Sequence, residues 1–84
     1  MKLITHPGCH LCEVAEPIVQ RAARRYRVPL TVVDMDCDDE LVRLYSLRIP
    51  VLLGPGDEIM AEGNIGPTEV RRALKQLRRR AGSA

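Results

Sequence analysis

The 84-residue chain is 45% hydrophobic and 29% charged, with no Phe or Trp and only two Tyr, so one small domain must build its core from Leu, Ile, Val and Ala. Nothing in it resembles a transmembrane segment or a cleavable signal peptide, and three cysteines, an odd number, argue against a secreted disulfide framework; a cytoplasmic location is expected. The net charge is +2, spread unevenly: residues 66–84 carry six basic groups and one acid, and residues 1–65 carry an excess of acids.

Met1-Lys2-Leu3-Ile4-Thr5 is a short apolar run and reads as a strand. His6-Pro7-Gly8-Cys9-His10-Leu11-Cys12 follows, and a helical period begins inside it. A Cys-x-x-Cys at a strand-to-helix junction puts both sulfurs near a helix N-terminus, where unpaired N–H groups and the dipole favour a thiolate. Residues three apart on one turn have Cα atoms roughly 5 Å apart, inside the window for a disulfide. Such a pair is either redox-active or two ligands of a metal. His6 and His10 could complete a metal site, giving a metal-binding or interaction module built on Cys9, Cys12 and a nearby His. Structural zinc sites, however, usually draw on two well-separated Cys/His pairs, and the only other cysteine is Cys37. Redox chemistry is the preferred reading.

Leu11, Val14, Ala15, Ile18, Val19, Ala22 and Tyr26 recur at three- and four-residue steps and predict one apolar helix face. Pro17 removes one bond from that helix and should kink it; the helix should end near Arg27, ahead of Pro29. Leu30 to Met35 reads as a buried β-branched strand. Asp36 to Glu40 is an acidic turn with Asp38 as N-cap of a short helix through Leu41, Leu44, Tyr45 and Leu47, stopped by Pro50. Cys37 sits among acids that disfavour its thiolate and is read as incidental.

Val51-Leu52-Leu53 reads as a strand, Gly54-Pro55-Gly56-Asp57 as a turn, and Glu58 to Ala61 as the returning strand of a hairpin. After a loop over 62–66, Pro67 opens a last helix with Val70, Ala73, Leu74 and Leu77 as its apolar stripe. Its basic residues are read as a solvated face that complements the helix dipole, not as a nucleic-acid patch. The domain is placed at 1–80, with 81–84 frayed. The predicted order is β-α-β-α-β-β-α: a four-stranded mixed sheet flanked by helices.

This order resembles the thioredoxin-like fold, with Cys9-His10-Leu11-Cys12 after the first strand and Ile49-Pro50 before the third. The length and the stretch Arg48-Ile49-Pro50-Val51-Leu52 are most similar to short bacterial glutaredoxin-like proteins. The resemblance implies a thiol–disulfide oxidoreductase of cell redox homeostasis. Cys9 would be the nucleophile and Cys12 the resolving thiol. Pro50 would be a cis-proline facing them, and Ile49 the backbone edge that pairs with substrate. His10, Leu11, Arg48, Gly63 and Asn64 would complete the substrate contacts. No bound cofactor or metal is implied. Glutathione or a thioredoxin-reductase-like donor is the candidate reductant, disulfides of proteins or small molecules are the partners, and a monomer is expected, without nucleic acid or membrane. Common glutaredoxins carry Pro-Tyr or Pro-Phe between the cysteines, a lysine before them and a Gly–Asp pair before the last helix. This chain has none of the three, which implies weaker glutathione binding.

Overall fold

Alternation along the strands decides which layer each strand residue serves. Leu3 pairs with Leu52 across the sheet and both face one side; Ile4 pairs with Val51 and both face the other. The computed structural model describes residues 1–82, with side chains through Arg79. Its elements are β1 (Lys2–Thr5), α1 (His10–Tyr26), β2 (Thr31–Asp34), a 3₁₀ turn (Met35–Cys37), α2 (Asp39–Tyr45), β3 (Val51–Leu53), β4 (Ile59–Glu62) and α3 (Pro67–Gly82). The strands form one sheet in the order β2-β1-β3-β4, with β1 parallel to β2 and antiparallel to β3, and β3 antiparallel to β4. This is the predicted α/β, thioredoxin-like architecture.

The sheet has a core on each face. On one, Leu3 and Leu52 pack with Ala15 and Val19 of α1 and Val70, Ala73 and Leu74 of α3. On the other, Ile4, Val51 and Leu53 pack with Met35 and with Leu41, Val42 and Tyr45 of the short α2. Caps fix the helix ends. Arg27, at φ 56°, closes α1 by donating its N–H to the carbonyls of Ala23 and Arg24. Asp38 caps α2 by accepting the Glu40 N–H at 2.9 Å, as expected from sequence. Glu69 reaches back to the Gly66 N–H at 2.9 Å and opens α3.

Four expectations need correction. The strand over Leu30–Met35 is shorter and lies at the sheet edge, not buried: Val32 is 37% exposed. A β-branched run reads the same at an edge as in the centre. On α1, Leu11 and Val14 face solvent and Ala23 is buried instead, because the packed face runs through Cys12, Ala15, Val19 and Ala23 at three- and four-residue steps. On α2, Val42 packs inward, while Leu44 is exposed and Leu47, past the helix end, is 99% exposed. Seven residues give too few turns for a period to select a face. Finally, α3 continues through Gly82, so Ala81 and Gly82 are helical; the fraying expected of Ser83 and Ala84 lies outside the described residues. Pro17 sits on the exposed side of α1, which is continuous through it.

Candidate functional site

The loop that delivers the cysteines is a tight turn. Pro7 fixes φ at its second position, Gly8 takes φ 82° at the third, and the Cys9 N–H donates to the His6 carbonyl at 3.2 Å. Pro-Gly with positive φ at the glycine is the signature of a type II turn. A Cβ at Gly8 would meet nothing within 4 Å, so glycine is required by the dihedral and not by crowding. The turn ends at Cys9, whose extended backbone makes it the N-cap of α1, and its Sγ accepts the Cys12 N–H at 3.2 Å. Cys9 is partly exposed, whereas Cys12, one turn in, is 4% exposed. All three cysteines are free thiols.

Strand direction gathers the remaining residues. The C-terminal end of β1 lies beside the N-terminal start of β3, since Ile4 pairs with Val51. Glu62, the last residue of β4, also pairs with Val51. The end of β2 matches the end of β1, with Thr5 opposite Asp34. Cys9, His10, Leu11 and Cys12 therefore share one end of the sheet with Arg48, Ile49, Pro50, Gly63 and Asn64. The Ile49–Pro50 bond is cis and Pro50 is buried. Gly63, at φ 72°, donates its N–H to the carbonyls of Pro50 at 2.9 Å and Arg48 at 3.2 Å, tying the loop after β4 to the proline turn. Arg48 reaches Glu62 at 4.0 Å, an exposed and weak pair. Asn64, His10 and Leu11 are exposed. Leu47, which the sequence assigned to the packed side of a helix, stands at this same end, in the loop that leads to Ile49 and Pro50.

The two cysteines differ electrostatically. Burial pushes the Cys12 thiol up to about 11 from an ordinary value of 9.0, and its hydrogen bond to Cys9 and the negative charges of Cys9 and Glu16 add to the rise; a hydrogen bond from the His6 backbone opposes them. A cavity of about 230 Å³ lies beside it, lined by Thr5, His6, Pro7, Gly8, Cys12, Glu13, Glu16 and Asp34. His6 does not turn toward the cysteines as a ligand. Its Nδ1 contacts the Pro7 carbonyl at 2.6 Å and its Nε2 the Asp36 carboxylate at 2.9 Å. Among the described residues no three His, Cys, Asp or Glu side chains converge into a metal site. Cys37 is exposed, in the 3₁₀ turn.

The shift at Cys12 has a consequence for stability. A folded-state pKa above the unfolded value means that the native state holds its proton longer, so stability is full below about pH 9 and falls as pH rises toward 11. The reduced protein should lose roughly 2–3 kcal/mol over that window. Cys12→Ala should lose much less over the same window, and denaturant unfolding at successive pH values measures the difference.

The profile of the glutaredoxin-like domain (DUF836) matches residues 1–76. A solved structure described as Northeast Structural Genomics target protein XcR50 from X. campestris superposes with a TM-score of 0.69 at 28% sequence identity, covering 89% of this chain and 95% of that one. A comparison with curated proteins gives no match. No helix among the described residues is long and apolar enough to cross a membrane.

Proposed function

The chain belongs to the glutaredoxin-like family, and from that premise we propose that it is a thiol–disulfide oxidoreductase in which Cys9 attacks and Cys12 resolves. The observation that carries this reading is the asymmetry of the pair. Cys9 caps α1, partly exposed, with the Cys12 N–H donated to its sulfur; Cys12 is buried behind it and holds its proton. The Cys9 thiolate attacks one sulfur of a substrate disulfide and the other leaves as a thiolate. Cys12 then gives up its proton and attacks the Cys9 sulfur of the mixed disulfide, releasing the second substrate thiol. Two electrons pass to the substrate, and the protein is left with a Cys9–Cys12 disulfide. Glutathione or a thioredoxin-reductase-like donor reverses the cycle.

In this reading Ile49 and Pro50 form the wall against which the substrate lies, with Arg48, Gly63 and Asn64 behind it and His10 and Leu11 beside Cys9. The two exposed leucines at this end, Leu11 at 42% and Leu47 at 99%, suit the apolar flank of a protein disulfide better than a small polar one. Equilibration of the pure protein in graded glutathione redox buffers, followed by alkylation and peptide mass analysis, tests the proposal. The expected product is a Cys9–Cys12 disulfide with Cys37 alkylated. Thiols that stay reduced throughout, or a disulfide that includes Cys37, would refute it.

A further inference from the structure

Two helices that pack side by side merge their flanks, and the flanks of α1 and α3 are both basic. Arg21 and Arg25 of α1 and Arg71 and Lys75 of α3 line a groove of about 420 Å³ whose remaining walls are Ile18, Ala22, Tyr26, Pro67 and Val70. No acidic residue lines it, and none of the four cations joins an ion pair or side-chain hydrogen bond among the described residues. Val70 is buried, Ile18, Ala22 and Tyr26 are half-buried, and the four cations are exposed. The groove therefore has a recessed apolar floor and a charged rim. The same side continues past the end of α1, where Arg25, Tyr26, Arg27 and Arg78 line a neighbouring hollow. At about 1.5 Å rise per residue, Ile18 to Tyr26 lie roughly 13–25 Å along α1 from Cys9, so this surface is separate from the thiol site.

We propose that the α1–α3 groove docks an acidic, amphipathic segment of a partner protein. The charge of the rim calls for carboxylates, and the floor calls for apolar side chains between them, which is the pattern of a helix laid in a groove. A nucleic acid would match the rim but leave the floor unused, with Tyr26 as the single ring for stacking. A flat bilayer would meet the rim and not the recessed floor. Four like charges held together without counter-charges repel one another, and an acidic segment relieves that repulsion on binding.

Fluorescence anisotropy with a labelled helical peptide of about 16 residues tests this, its leucines at i, i+3, i+4 and i+7 and its glutamates on the flanks. Saturable binding is expected that weakens about tenfold or more in the double variant Arg25→Glu/Lys75→Glu and also in Arg21→Glu/Arg71→Glu, and is unchanged in Arg43→Glu on the opposite face. Salt should weaken it steeply. A peptide of the same composition with its leucines shuffled should bind about tenfold more weakly. Absence of saturable binding would overturn the proposal. So would reversal variants that bind as the wild type does, or a shuffled peptide, a single-stranded oligonucleotide or phosphatidylglycerol vesicles that bind as tightly as the amphipathic peptide.

Discussion

Cys9→Ser is expected to abolish disulfide exchange, a loss of at least about 10³-fold, because a hydroxyl at the α1 N-cap keeps the hydrogen bond but supplies no thiolate. The serine is a good N-cap, so stability should change little and the loss will be one of chemistry. Cys12→Ser should behave differently. The first attack uses only Cys9, so one equivalent of substrate thiol is still released, and the reaction then halts at the mixed disulfide. Stopped-flow measurement of released thiol separates the two variants: no burst for Cys9→Ser, a burst without turnover for Cys12→Ser. Cys37→Ser should match the wild type in both phases, since the exposed Cys37 lies in the 3₁₀ turn and has no part in the proposed cycle.

Leu52→Ala is expected to cost about 3–4 kcal/mol. Leu52 lies on a central strand with no exposure, opposite Leu3, under both α1 and α3. Small domains hold only about 5–15 kcal/mol in reserve, so this change consumes a large part of it and should lower Tm by roughly 15 °C or more. Denaturant unfolding should show a lower midpoint with an unchanged slope. Leu47→Ala serves as the comparison: the same chemical change at a side chain 99% exposed should leave the midpoint where it was.

That contrast marks the boundary of what the residues alone reveal. The order of elements was legible because each has its own punctuation: Pro29 after the first helix, Asp38 at the start of the second, Gly54 to Asp57 between β3 and β4, Pro67 at the start of the last. The positions of Cys9 and Cys12 on a helix start were legible from spacing. Depth was not. Leu47 and Leu52 are the same residue type, and only the tertiary arrangement, which leaves Leu47 in the loop after α2 and covers Leu52 with α1 and α3, sets one in water and the other in the core. Val32 and Val51 likewise differ because β2 lies at the edge and β3 in the middle. The type II turn before Cys9 could have been read from Pro7-Gly8. The basic groove could not, because Arg21 and Lys75 are distant in sequence and come together only when α1 and α3 share one face of the sheet.

Adduct mapping on the Cys12→Ser protein tests the central claim most directly. The variant would be mixed with an equimolar disulfide-bonded peptide, quenched with acid and digested, and each cysteine read by mass spectrometry. Attack by a partly exposed cysteine at the α1 N-cap requires the peptide on Cys9, with Cys37 unmodified. A peptide found on Cys37, or an equal yield of adduct on Cys12 when Cys9→Ser is treated in the same way, would contradict it.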